Sequence, residues 1–178
     1  MIAVILIAFG LLVVALVIFA ARGASAEVRS HEQLLGVTVA VDLAAFRNLV
    51  DQGEEEFLRT HLPAHEFEIV LRARERATLA YLKAVSHNAA VLLRLAETGR
   101  GSPDSAVANA AHELAQNAIQ LRLYCLLLIV RLQAAVIFPA IPHTAHSIVE
   151  RYQRFTDDAV HFVALGDPAF TSRMSAAL

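Results

Sequence analysis

The chain opens with an unbroken apolar stretch, residues 2–21, in which only Gly10 falls outside the hydrophobic class. Twenty helical residues at 1.5 Å each cover about 30 Å, the thickness of the hydrocarbon core of a bilayer. A helix also satisfies its own backbone hydrogen bonds, which lipid cannot do for it. The pattern therefore predicts one N-terminal transmembrane helix.

A cleaved signal peptide is the alternative, because Ala24, Ser25 and Ala26 form a small-x-small triplet that a signal peptidase could cut. No Lys or Arg precedes the apolar run, the run is longer than usual, and Arg22 interrupts it before the triplet, all of which favour an uncleaved anchor. Arg22 and Arg29 follow the run, so positive-inside reasoning places the C-terminal domain in the cytoplasm. We expect a single-pass protein of a bacterial-type inner (cytoplasmic) membrane.

Two long amphipathic patterns follow, and they predict a helical hairpin. From residue 64 to about 98, apolar positions fall on one face at helical spacing: Phe67, Leu71, Leu82, Val85, Ala89, Leu92 and Ala96. From 104 to 138 a second set alternates spacings of four and three, the seam of left-handed knobs-into-holes packing: Val107, Ala111, Leu114, Ala118, Leu121, Cys125, Leu128, Leu132 and Ala135. The short turn between them predicts antiparallel packing, with glycine at a left-handed C-cap and Ser102 as the next N-cap.

Shorter patterns complete the expected architecture. Asp42 is expected to cap a short helix through Val50, and three glutamates after Gly53 open another that ends before Pro63. Thr144 is expected to cap a third bundle helix that runs to about 165. The prediction is an all-α chain with four parts: an anchor (1–22), a juxtamembrane linker with short helices (23–63), an antiparallel three-helix bundle (64–166) and a tail (167–178).

Residues 121–138 are apolar enough to suggest a second span. Arg131 would then sit near the middle of the bilayer, at a cost of about 2.5–3.5 kcal/mol. We therefore interpret this segment as a bundle helix or as one that lies against the membrane surface.

The composition argues against several classes of function. The net charge is −2 and Lys83 is the only lysine, so the sequence predicts no nucleic-acid binding. Cys125 is the single cysteine, which excludes an intramolecular disulfide. It lies in an apolar run, where burial would raise the pKa of its thiol rather than activate it.

One candidate metal site stands out among eight histidines. His61, His65 and Glu66 lie close in sequence, and imidazoles with a carboxylate are ligands that divalent transition metals take. Pro63 is expected to break the helix between the two histidines, so their spacing does not place them on one face. Surface histidines at a turn are the alternative interpretation, and we expect no cofactor.

Arg122 and Arg131, within the apolar part of the second long helix, are the candidate ligand-binding residues, as a clamp for an anion or carboxylate. Pairing with an acidic neighbour or snorkelling to the rim is the alternative. No nucleophile elbow or phosphate-binding loop is present in the sequence. The leading hypothesis is a non-catalytic, membrane-anchored scaffold or accessory protein that binds protein partners or self-associates through helix faces. The alternatives are a membrane-anchored sensory bundle that binds a small anionic ligand and, third, a metalloenzyme.

Overall fold

The computed structural model describes residues 37–137 and 147–166, and within these ranges every regular element is an α-helix. The predicted all-α class is therefore confirmed for the described part of the chain. The predicted transmembrane helix at 2–21, the Thr144 cap and the tail at 167–178 lie outside the described residues.

Two short helices come first. α1 spans Leu43–Leu49, and its N-cap is Asp42, whose side chain accepts hydrogen bonds from the amides of Ala44 and Ala45. α2 spans Gln52–His61, capped in the same way by Asp51, and no residue of it is buried. The predicted Asp42 cap is confirmed, and Pro63 does separate α2 from the next helix.

Two long helices form the body of the fold. α3 spans Ala64–Gly99 and α4 spans Ser105–Ile137. The expected apolar faces meet, since Leu82, Val85, Ala89 and Leu92 of α3 share one core with the α4 seam. Leu82, in the middle of α3, lines one pocket with Leu128 of α4, and the backbone of Gly99 lies near Ala111, so the two helices run antiparallel.

The turn between α3 and α4 differs from its prediction. No glycine in the described residues has a positive φ, and Gly99 ends α3 in ordinary helical geometry. A β-carbon on Gly99 would lie only 2.6 Å from Phe162 Cζ, so glycine is needed here for space rather than for a left-handed cap. The α4 cap is also corrected: Asp104, not Ser102, accepts a hydrogen bond at 2.8 Å from the amide of Ala106.

α5 spans Ser147–Gly166 and runs antiparallel to α4. The Tyr124 and Ser147 hydroxyls lie 2.6 Å apart near its start, and Asn117 donates to Asp158 at 2.8 Å further along. Its buried face joins the same core: Ile148, Val149, Tyr152, Phe155, Ala159, Phe162 and Val163.

α1 packs against α3 and α5. α3 is about 54 Å long and α5 about 30 Å, so the shorter helix cannot line the full length of the longer one. Phe46 of α1 is fully buried and stacks on Tyr81 of α3, with ring centroids 5.0 Å apart. Arg74 of α3 donates to the carbonyls of Asn48 and Leu49, which satisfies the C-terminal end of α1.

Among the described residues, one helix is long and apolar enough to cross a bilayer, namely α4 over Ser105–Gln133. The buried side of this helix is packed against α3 and α5. Length and composition alone do not separate a core helix from a membrane span.

Candidate functional site

Arg122 and Arg131, the predicted ligand-binding pair, lie on opposite sides of α4. Nine residues correspond to two and a half helical turns, a half-turn offset in direction and about 13 Å in height. Arg122 is only 4% exposed, whereas Arg131 is exposed. Burial, and then the nearby Arg94 guanidinium, lower the pKa of Arg122. The two guanidinium groups therefore do not form one clamp.

Arg131 lines a pocket between the C-terminal end of α1, the start of α2 and the two long helices. We call this the α1–α3–α4 pocket; its volume is about 60 Å³. Its polar lining consists of Gln52 and Glu55 of α2, Arg74, Glu75 and Thr78 of α3, and Arg131 of α4. The pocket thus brings together both signs of charge from three separate segments of the chain.

The predicted metal ligands are placed at the surface. His61 ends α2, while His65 and Glu66 lie in the first turn of α3, and all three are exposed. His61 Nδ1 lies 2.8 Å from the Phe57 carbonyl oxygen, and its ring stacks on that of Phe57. In the described ranges, no three His, Cys, Asp or Glu side chains are grouped as a metal ion would require.

Asn88 is a buried polar residue that the sequence analysis did not single out. Its side chain is fully buried on α3 and holds the strap, which we define as residues 37–42, the segment before α1. Asn88 Oδ1 accepts from the Val39 amide at 2.9 Å, and Nδ2 donates to the Val39 carbonyl at 2.7 Å. The same amide nitrogen donates to the Tyr152 hydroxyl at 2.8 Å. One side chain therefore joins the strap, α3 and α5.

A second contact holds the strap next to the first. His87 Nε2 lies 2.9 Å from the Val37 carbonyl oxygen, to which its N–H tautomer donates. Consecutive side chains of α3 thus bind the strap backbone rather than its side chains. The segment that leads toward the predicted anchor is fixed to the centre of the bundle.

Cys125 is buried in the α4 seam, as expected from its apolar surroundings. Burial raises the pKa of its thiol to about 12. Burial likewise raises the pKa of Tyr152 to about 12, although the hydrogen bond from Asn88 acts in the opposite direction. Both groups are therefore protonated at neutral pH, which suits packing rather than nucleophilic chemistry.

The outward side of α4 carries a second stripe with the same alternation of four and three as its seam. This outer stripe consists of Gln116, Gln120, Leu123, Leu127 and Val130. It is shifted two residues from the seam, or about 200° around the helix, so it faces away from the core. At Gln120 it borders α5, because Gln120 lines a cleft with Arg151 and Arg154. Leu127 is 47% exposed and Val130 36% exposed. An apolar row of this kind on a packed helix is available to a further partner.

Comparison with protein-family models, with curated proteins and with solved structures finds no match to this chain.

Proposed function

We propose that this chain is a membrane-anchored, non-catalytic accessory protein whose helical bundle self-associates with a second copy through the outer stripe of α4. Residues 2–21 would span the membrane and residues 64–166 would form the bundle on its cytoplasmic side. The observation that carries the proposal is the outer stripe, with Leu127 and Val130 exposed on a helix whose opposite side is already packed.

The spacing of the outer stripe supports a helix as the partner. Positions that alternate every three and four residues stay aligned along a neighbouring helix, because they match the 3.5-residue repeat of two packed helices. Ile119 and Leu126 are half-buried and flank the stripe, which broadens its apolar part. The stripe extends over about 20 Å from Gln116 to Val130.

The charge of the stripe supports a second copy over an unrelated protein. Between Glu113 and Arg131 the exposed positions of the stripe itself are glutamine, leucine and valine, so the apolar centres of two identical stripes would meet without like charges in contact. Both signs of charge border the stripe at Gln120, where α5 carries Arg151, Arg154, Asp157 and Asp158. Isologous pairing is the commonest form of protein self-association. A partner recognised by charge would need charged positions along its path, which the stripe itself does not have between Gln116 and Val130.

The proposed membrane anchor would allow two copies to associate through an interface as small as the outer stripe. A stable interface in solution usually buries about 800 Å² on each partner, more than one short stripe supplies. Confinement to a membrane raises the effective concentration of one copy near another, so a weaker contact suffices.

Leu127→Arg is expected to abolish self-association while leaving the bundle folded. An unpaired guanidinium in the centre of the contact would cost several kcal/mol to desolvate, which should reduce the dimer fraction about tenfold or more. Photobleaching of single labelled molecules in proteoliposomes measures that fraction directly. We expect two-step bleaching for the unmodified full chain and one-step bleaching for the variant.

Asn109→Arg is the matched control, because Asn109 is an exposed residue of α4 in the same row as the stripe but about 27 Å from Leu127. It should retain two-step bleaching. One-step bleaching of the unmodified chain at every density would refute self-association. Capture of a different protein that depends on Leu127 would equally overturn the assignment of a second copy.

The anchor has its own test. We expect the full chain to stay with membranes after an alkaline carbonate wash, because a spanning helix is held by its apolar surface rather than by charge. A variant that lacks residues 2–21 should appear in the soluble fraction. Release of the full chain by the wash, or a mature protein that starts near Glu27, would rule out the anchor.

A further inference from the structure

The cleft between α4 and α5 has a volume of about 380 Å³, which lies within the usual range of small-molecule sites in proteins. Two of its lining residues are apolar and buried, Leu121 and Phe155. The others are polar or charged: Asn117, Gln120, Arg151, Arg154, Asp157 and Asp158. This site, which we call the α4–α5 cleft, therefore has the space for a small ligand and the polar groups to orient one.

Arg151 is held at the cleft by an aromatic ring and not by an acid. Its guanidinium carbon lies over the ring of Tyr124, 4.9 Å from the centroid. The Tyr124 hydroxyl is in turn 2.6 Å from the hydroxyl of Ser147, which fixes the ring. A cation–π contact of this kind leaves most of the five N–H donors of a guanidinium available to a further acceptor.

Arg154 brings a second guanidinium to the cleft, one helical turn further along α5. Glu150 and Asp158 lie four residues away on either side, yet Arg154 forms no ion pair or hydrogen bond with any residue that the structure describes. Asp158 instead accepts a hydrogen bond of 2.8 Å from Asn117 of α4. Two guanidinium groups with unused donors favour an anion, and a phosphate has more terminal oxygens to share between them than a carboxylate has.

The other end of the cleft is acidic. Asp157 is exposed there and, within the described ranges, likewise has no ion pair or hydrogen bond. With Asp158 beside it, the two carboxylates balance the two arginines, so a bare phosphate would be attracted at one end and repelled at the other. A ligand that also carries an ammonium group would meet both signs of charge. Arg154 and Asp157 are about 4.5 Å apart along the helix axis, which a two-carbon link between phosphate and ammonium can bridge.

We infer that the α4–α5 cleft binds a phosphate group joined through two carbons to an ammonium group, as in phosphoethanolamine or in the headgroup of phosphatidylethanolamine. The phosphate lies on Arg151 and Arg154, and the ammonium group lies on Asp157. This binding is independent of the proposed self-association, since the cleft and the outer stripe share only Gln120.

Equilibrium dialysis of the full chain in maltoside micelles, with radiolabelled phosphoethanolamine, tests the inference. We expect saturable binding of phosphoethanolamine. Inorganic phosphate and ethanolamine carry its two charged groups separately, and each should bind about tenfold more weakly or worse.

Arg154→Gln and Asp157→Asn test the two ends of the cleft. Both side chains are exposed and contribute no ion pair or hydrogen bond to the described fold, so both variants should stay folded by circular dichroism. Each should weaken the binding of phosphoethanolamine about tenfold or more, because each removes a charged partner. Asp157→Asn should leave the binding of inorganic phosphate unchanged or tighter, a separation that damage to the fold would not produce.

Arg76→Gln is the matched control, because Arg76 is an exposed arginine of α3 outside the cleft, with no ion pair in the part of the chain that the structure describes. It should bind phosphoethanolamine as the unmodified chain does. Binding of inorganic phosphate as tight as that of phosphoethanolamine, or no saturable binding of phosphoethanolamine up to about 10 mM, would overturn the inference.

Competition with short-chain lipids identifies the source of the ligand. Displacement of the label by dihexanoyl phosphatidylethanolamine, but not by dihexanoyl phosphatidylcholine, would place a lipid headgroup in the cleft, because the methylated nitrogen of phosphatidylcholine has no N–H donor. Displacement by neither lipid would assign the cleft to free phosphoethanolamine. Equal displacement by both lipids would contradict the assignment of the ammonium group to Asp157.

Discussion

Asn88→Leu is expected to release the strap and to lower the free energy of unfolding of the bundle by about 2–4 kcal/mol. Leucine has the same branched shape and is somewhat larger, so the core around position 88 stays filled, but it offers no polar atom. The Val39 amide, the Val39 carbonyl and the Tyr152 hydroxyl each lose the hydrogen bond that Asn88 makes with them. A buried polar group left without its partner costs about 1–3 kcal/mol.

The loss of structure caused by Asn88→Leu should be confined first to the strap. Val39 has a side chain that is 46% exposed, so its peptide groups can reach water if the segment lifts from α3. The Tyr152 hydroxyl belongs to a fully buried side chain and stays in the core when the strap lifts. Hydrogen exchange of the Val39 amide should therefore accelerate strongly, while amides in the centre of α4 accelerate only as far as global stability falls.

Asn109→Leu is the control for this substitution, because Asn109 is an exposed asparagine of α4 to which no described residue hydrogen-bonds through its side chain. It should change the free energy of unfolding by less than about 0.5 kcal/mol. Unchanged protection of the Val39 amide in Asn88→Leu would mean that the strap is held by packing alone. That result would contradict the role given to Asn88.

The long helices could be predicted closely because their signal is local. The α4 seam repeats at fixed spacing over nine positions, and the six from Ala111 to Leu128 are all buried. The prediction of a left-handed cap in the turn between α3 and α4 was wrong, and the reason is a non-local contact. Gly99 resembles a left-handed cap in the sequence, but its place is set by Phe162, which approaches from another helix.

The candidate sites were harder to predict, because their parts are distant in sequence. Asn88 meets Val39 across 49 residues and Tyr152 across 64, and no spacing rule connects them. The sequence signal for the role of Asn88 was its position as a polar residue beside the alanines of α3. A polar residue on a buried helix face needs a hydrogen-bond partner. The pocket likewise requires α1, α3 and α4 to be placed together before its lining exists.

For Arg122 and Arg131, by contrast, the spacing in the sequence already argued against a shared clamp. Nine residues on one helix already imply opposite sides, whatever surrounds the helix. Their burial could not be foreseen in this way, because it depends on which faces of α4 are covered by α3 and α5. Periodicity thus gives the direction of a side chain, and packing decides its environment.

The second large effect is expected from Leu114→Ala. Its comparison with Leu127→Ala tests whether α4 is a bundle helix. Both remove the same atoms from the same helix, but Leu114 is fully buried in the seam and Leu127 is 47% exposed on the outer stripe. In a packed bundle, Leu114→Ala loses transfer free energy and leaves a cavity, which should cost about 2–5 kcal/mol. Leu127→Ala should cost less than about 1 kcal/mol.

Chemical unfolding of the full chain in micelles, followed by circular dichroism, gives both values. If α4 instead crossed the bilayer, lipid would surround both leucines alike and the two variants would lose similar amounts, because lipid is as apolar as leucine itself.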